Sequence, residues 1–158
     1  MTDPKRRSLL KGTLTGSIIL LAGSAGLLKP LQALAADWPK AAFDAKTVPD
    51  ALKSIYGSTA PMVSKDITIK APIQAENGAV VPISISTTLP NPESIGIVVA
   101  KNPNPLIANV NLTPAAEGFF SARIKMGKTS DVNVYVKSHG KIYMASQQIK
   151  VTVGGCGG

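Results

Sequence analysis

A two-residue alternation of apolar and polar side chains dominates the chain from Asp66 onward. This period is typical of strands that bury one face. Gly-, Pro- and Asn-rich turns separate the alternating runs. About seven short strands at this spacing predict an all-β fold, an antiparallel β-sandwich of immunoglobulin-like type over residues 66–153. The runs contain Ile67, Ile69 and Ala71; Val81, Ile83 and Ile85; Ile95, Ile97 and Val99; and the segments Leu106–Leu112, Phe119–Met126, Val132–Lys137 and Lys141–Val153.

Residues 36–65 are predicted to form an N-terminal lead-in and one short helix. The helix is expected from Val48 to about Tyr56, because Thr47 can cap its start and Gly57 can end it. We expect it to cover an edge or an end of the sheet, with docking of a partner as the alternative. The residues before it are predicted to be irregular, with Trp38 attaching them to the domain.

The first 35 residues have the pattern of an export signal. Arg6 and Arg7 precede an apolar stretch from about residue 12 to 28, and Ala33-Leu34-Ala35 resembles a cleavage site. The paired arginines indicate a twin-arginine signal, cleaved after Ala35, and therefore a periplasmic protein. An uncleaved membrane anchor is the alternative, because the apolar stretch is of borderline length for a span.

Removal of residues 1–35 would leave 123 residues and lower the net charge from +8 to +4. The remaining lysines are scattered and aromatic residues are sparse, so binding to nucleic acid is not indicated. Twin-arginine signals are associated with export after folding, although the sequence contains no evident cofactor site. One explanation is a partner subunit that folds onto this chain and is exported with it.

The segment after the last predicted strand places the only cysteine, Cys156, between two pairs of glycines. Glycine is the most conformationally permissive residue, so residues 154–158 are predicted to form a mobile arm. The arm glycines are Gly154, Gly155, Gly157 and Gly158. No second cysteine exists to close a disulfide within the chain. The sequence therefore predicts a reactive sulfur on a flexible tether.

Few other residues indicate chemistry. One cysteine and one histidine cannot form a Cys/His zinc site, and no phosphate-binding loop or paired carboxylates stand out. His139 is expected in a hairpin tip exposed to solvent. The Asn102–Pro105 loop, which contains two prolines, is either a simple turn or a surface against which the arm rests. We therefore predict no catalytic residues, metal or cofactor, and a carrier acted on by other enzymes.

The ending Gly154-Gly155-Cys156-Gly157-Gly158, together with Asn102-Pro103-Asn104-Pro105-Leu106-Ile107-Ala108 and the final strands, resembles the SoxY family of sulfur carriers. The resemblance implies that Cys156 binds thiosulfate covalently as an S-thiosulfonate and carries the sulfur while it is oxidised and hydrolysed. It further implies a heterodimer with SoxZ, and visits to haem-containing SoxAX, the hydrolase SoxB and, in some organisms, SoxCD.

The sequence is also compatible with two other functions. Cys156 could cycle through mixed disulfides in a thiol–disulfide redox protein, although no resolving cysteine is present. A structural sandwich could instead form a covalent homodimer through a Cys156 disulfide.

Overall fold

The alternating apolar side chains form the inner surfaces of two packed β-sheets. The structure, a computed structural model, describes residues 38–58 and 60–152; the predicted signal segment and the glycine–cysteine arm lie outside them. The helices are α1 (Lys40–Asp44) and α2 (Val48–Tyr56). The strands are β1 (Met62–Val63), β2 (Ile67–Lys70), β3 (Gln74–Ala75), β4 (Val81–Thr87), β5 (Pro92–Val99), β6 (Leu106–Asn111), β7 (Phe119–Ile124), β8 (Ser130–Ser138) and β9 (Lys141–Val151).

The larger sheet has the order β1-β9-β8-β5-β6, with β3 also paired to β9, and the smaller sheet has the order β2-β4-β7. Between them lies a core of β-branched side chains removed from water, the main favourable contribution to folding. Its fully buried members include Val81, Ile83, Ile85, Ile95, Ile97, Val99, Val132, Val134, Val136 and Ile149. The predicted all-β sandwich is confirmed.

Strand β9 is the longest and has the most pairing partners. It forms an antiparallel hairpin with β8, from Ser138 opposite Lys141 to Ser130 opposite Ile149. The two-residue strands β1 and β3 pair with β9 in parallel. The prediction of about seven strands, all antiparallel, therefore missed β1 and β3. Strands of two residues are too short to show an alternating period.

Helix α2 packs on the outer face of the larger sheet. Ala51 and Leu52 join a second apolar cluster with Val98, Tyr135 and Ile142. The expectation that α2 covers an edge or an end of the sheet was wrong. Strand β5 is buried on both faces as a result, which explains why its run from residue 94 to 99 does not alternate in exposure.

A close approach fixes the end of α2 against β5. A Cβ atom on Gly96 would lie 2.5 Å from the Tyr56 hydroxyl oxygen, so only glycine leaves room for this side chain. The Tyr56 hydroxyl donates a hydrogen bond to Asn109 Oδ1 on β6 at 3.3 Å. Glycine at this position therefore lets the helix lie flat on the sheet.

The bounds of α2 match the prediction. Thr47 Oγ1 accepts a hydrogen bond from the Asp50 amide at 3.3 Å, and Gly57 ends the helix with a left-handed φ of 69°.

The lead-in differs from the predicted irregular segment, because it contains α1. Trp38 stacks on Phe43 within the lead-in, with ring centroids 4.3 Å apart, and stays 67% exposed, so it does not attach the segment to the sheets. Among residues 38–58 and 60–152, no helix is long and apolar enough to cross a membrane.

Candidate functional site at the end of strand β9

The last described residues, Lys150–Thr152, are called the β9 terminus, and their backbone is bonded along both edges. On one edge, the Lys150 amide donates to the Ile73 carbonyl at 2.9 Å, and the Thr152 amide donates to the Ala75 carbonyl at 3.0 Å. The opposite edge faces Thr129. The Val151 amide donates to Thr129 Oγ1 at 3.0 Å, and the Thr129 hydroxyl donates to the Val151 carbonyl at 3.4 Å.

Gly78 allows a tight approach beside this terminus. Its carbonyl accepts the Met126 amide at 2.7 Å. A Cβ atom on Gly78 would lie 2.3 Å from the Met126 carbonyl oxygen and 2.8 Å from Val151 Cγ1. Real Cβ atoms do not approach other atoms so closely, so the position requires glycine. The turn that contains Gly78 was predicted from Glu76-Asn77-Gly78, but its contact with β9 was not.

The Asn102–Pro105 loop contacts the same end of the sandwich. The Asn102 side chain donates to the Lys125 carbonyl at 2.8 Å and accepts the Gly127 amide at 3.0 Å. Asn104 donates to the carbonyl of Phe43 at 2.9 Å. The loop is thus a bonded connection between the lead-in and the 125–129 segment, which carries Thr129. Its predicted contact with the arm stays a prediction.

Four exposed lysines, called the lysine rim, belong to the segments that meet at this end: Lys101, Lys125, Lys128 and Lys150. The backbone contacts given above connect these segments to one another, and the Lys101 amide adds a hydrogen bond to Ser130 Oγ at 3.0 Å. None of the four forms an ion pair with another described residue. The sequence did not predict this cluster, because its members come from three separate parts of the chain.

Two exposed carboxylates lie near the rim. Glu76 directly follows Ala75, the residue paired with Val151. Asp131 follows Ser130, and its Oδ1 accepts a hydrogen bond from Gln148 Nε2 at 3.3 Å. Four lysines against two carboxylates leave this end with an excess of positive charge.

The predicted site residues all follow the β9 terminus in the sequence. Cys156 and its flanking glycines Gly154, Gly155, Gly157 and Gly158 lie outside the described residues. His139 is at the β8–β9 hairpin tip, as expected, with a positive φ of 47°. It lies at the opposite end of β9 from Val151, roughly 33 Å away at about 3.3 Å per strand residue. The structure therefore does not place His139 beside the segment that carries Cys156.

A polar pocket of about 220 Å³ lies on the outer face of the larger sheet, near the His139 end. It is lined by Ile55, Tyr56, Glu93, Ser94, Asn109, Asn111 and Lys137. Burial raises the pKa of Tyr56 to about 12, and the opposing effect of the neighbouring Ser94 side chain is smaller. Over the described ranges there is no cluster of three or more His, Cys, Asp or Glu residues that could hold a metal ion.

The fold and this terminus define the class of protein: an immunoglobulin-like β-sandwich whose last strand is fixed immediately before a glycine–cysteine segment. The family model described as "Sulfur oxidation protein SoxY" matches residues 52–156, which include both sheets and end at Cys156. The chain belongs to the SoxY family.

A solved structure supports the same assignment. The sulfur carrier protein SoxY from Chlorobium limicola f thiosulfatophilum is 38% identical, with a TM-score of 0.61 over 66% of this chain and 94% of that one. The PKD domain of an M14-like peptidase from Thermoplasmatales archaeon SCGC AB-540-F20 has 16% identity and a TM-score of 0.38 over 60% of this chain and 98% of that one, too low a likeness to support an inference. No curated protein sequence matches the chain.

Proposed function

We propose that this chain is a sulfur carrier of thiosulfate oxidation, which binds its cargo covalently through Cys156. Membership in the SoxY family supports the carrier role. The observation that carries the covalent proposal is the β9 terminus, which is bonded on both edges up to Val151 and on one edge at Thr152, four residues before Cys156. A fixed strand next to a glycine-rich segment would give the sulfur reach without unfolding the domain.

The length of the segment sets that reach. Four residues span about 13–14 Å when extended, at about 3.3–3.6 Å each. Glycines on either side of Cys156 add no side-chain bulk, so the segment could enter a narrow channel in an enzyme. An ordinary cysteine is only a few per cent thiolate near neutral pH. Most of the activation of the sulfur would therefore come from the enzyme that receives it.

The chemistry of the cycle divides between the carrier and its enzymes. Joining the Cys156 thiolate to the terminal sulfur of thiosulfate forms one S–S bond and releases two electrons. A haem protein such as SoxAX would accept these electrons. Hydrolysis of the resulting S-thiosulfonate would then release sulfate and leave a persulfide on Cys156. The carrier contributes the attachment atom, and other proteins contribute the oxidant and the hydrolytic site.

The remaining parts of the proposal concern partners and location. SoxZ is the proposed stable partner, as a heterodimer, and SoxAX, SoxB and SoxCD are the proposed transient ones. The twin-arginine pattern of residues 1–35 supports export to the periplasm, where these proteins would meet. Export of a folded complex would explain this type of signal on a chain with no cofactor site evident in its sequence.

A reconstituted assay tests the function. The chain is mixed with SoxZ, SoxAX and SoxB from the same organism, and thiosulfate-dependent reduction of cytochrome c is followed. Cys156→Ser keeps the size of the side chain but removes the sulfur, so we expect turnover to fall to background. Lys65→Gln, beside the first half of β9, is the matched control and should keep full turnover. Substantial turnover by Cys156→Ser would contradict the proposal.

A further inference from the structure

The lysine rim lies within reach of Cys156. Lys150 belongs to the β9 terminus itself, and Lys128 is adjacent to Thr129, whose side chain bonds Val151 at 3.0 Å. Cys156 follows Thr152 by four residues, so its sulfur can sample positions up to about 13–14 Å from the terminus. That distance is an upper limit, and positions within the Debye length of about 8–10 Å at ordinary ionic strength fall inside it, where the charges of the rim would act on the sulfur.

The lysine rim and an anionic Cys156 have complementary charges. The rim has four lysines against Glu76 and Asp131. Residues 151–158 have no other ionisable side chain, so the Cys156 thiolate, or an anionic group attached to its sulfur, would be the charged side chain of this segment. A tethered group also has a high effective concentration, in the millimolar range for short flexible linkers, so even weak attraction populates the contact.

We propose that the lysine rim is a docking surface for the chain's own residues 153–158 when Cys156 is anionic, either as the thiolate or as a sulfur oxyanion adduct. Docking of the sulfur oxyanion adduct rests on the proposed function, whereas docking of the thiolate does not. Docking would hold a charged cargo beside the domain between visits to enzymes. It would also increase the thiolate fraction of Cys156 and give the sulfur a modest reactivity of its own.

Alkylation of Cys156 by iodoacetamide measures the thiolate directly and needs no other protein. The rim variant is Lys101→Gln, Lys125→Gln and Lys128→Gln in the full chain; Lys150 is kept because it belongs to the β9 terminus, whose contacts must stay unchanged. The control variant is Lys53→Gln, Lys65→Gln and Lys141→Gln. It removes the same number of charges from α2, from the residue before Asp66, which precedes β2, and from the first residue of β9, at the opposite end of that strand from the rim.

At about 0.1 M salt and neutral pH, we expect the alkylation rate of the rim variant to be about two- to threefold lower than that of the wild type, from three screened charges at about 10 Å. The control should match the wild type, and the difference should disappear at about 1 M salt, where the Debye length is about 3 Å. Equal rates in all three proteins would overturn the inference, as would an equal loss in both variants.

The test also separates this inference from other outcomes. Equal alkylation rates combined with slower turnover by SoxB would show that the rim binds a partner protein, which overturns docking of the segment. If the chain carried no sulfur adduct in any assay, the proposed function would fail, whereas a rim-dependent alkylation rate would still support docking of the thiolate.

Discussion

Thr129 and Val151 are joined by two hydrogen bonds, in which the Thr129 hydroxyl accepts the Val151 amide at 3.0 Å and donates to the Val151 carbonyl at 3.4 Å. One side chain thus satisfies both backbone groups of the last residue of β9. With β3 on the other edge, this fixes the point from which the glycine–cysteine segment extends.

Replacement of this hydroxyl should loosen the end of β9. Thr129→Val keeps the shape of the side chain but leaves the Val151 amide without a partner, so we expect a loss of about 1–2 kcal/mol in the free energy of unfolding. Urea unfolding measures the loss, and hydrogen exchange should show faster exchange of the Val151 amide. Thr129→Ser retains the hydroxyl and should preserve slow exchange. Unchanged exchange in Thr129→Val would show that the β3 edge alone holds the strand.

Gly78 is expected to tolerate no side chain. In Gly78→Ala the new methyl group would lie 2.3 Å from the Met126 carbonyl oxygen, a backbone atom that cannot rotate away. We expect destabilisation of about 1–3 kcal/mol, measured by chemical unfolding. Gly127→Ala is the matched control, because the nearest atom to its added Cβ is Asn102 Oδ1 at 3.8 Å. Equal stability of the two variants would refute the tight packing described here.

The free energy of unfolding should decrease at alkaline pH because of Tyr56. Burial raises its pKa from 10.0 to about 12, so in this range the folded state holds the proton more tightly than the unfolded state. The stabilisation is therefore fully present below pH 10 and is lost as the pH rises toward about 12. A rise of about two pKa units corresponds to at most about 2–3 kcal/mol.

Unfolding free energies at pH 8 and pH 11 check this prediction. Tyr56→Phe removes the titrating hydroxyl, so the variant should lose less stability between the two values than the wild type does. Identical losses would assign the alkaline effect to other groups, such as Tyr135, whose pKa is also raised by burial.

A larger side chain next to Cys156 should reduce turnover by the partner enzymes and leave the fold unchanged. Gly155→Val and Gly157→Val would obstruct entry to a narrow channel and restrict the backbone, so we expect turnover by SoxB to fall by at least about tenfold. Thermal unfolding and alkylation of Cys156 should stay close to the wild type in both variants. Normal turnover in both would argue against a channel that requires glycine.

The parts of the fold predicted from sequence are those with local signals. Helix α2 has a capping threonine and a terminal glycine, and the longer strands have a clear two-residue period. Helix α1 was missed because it has five residues and no side-chain cap, with Pro39 at its start. Strands β1 and β3 were missed because they have two residues each and pair with a strand about 75–80 residues away.

The candidate site was predicted only in part. Cys156 and its glycines are conspicuous in the sequence, because they form one contiguous motif. The contacts that fix the β9 terminus join Val151 to Gly78 and Thr129, residues that are far apart in sequence and ordinary in type. The lysine rim is equally invisible, because only the pairing of the strands brings its members to one end.

The central claim is that sulfur is carried covalently on Cys156, and intact mass measurement tests it most directly. The protein is isolated from cells grown on thiosulfate, without reductant, and its mass is compared with that of Cys156→Ser. We predict added masses of sulfur and of a thiosulfate group on the wild type, removed by reduction and absent from the variant. An unmodified thiol, glutathione alone, or a stable disulfide-linked homodimer would contradict the account.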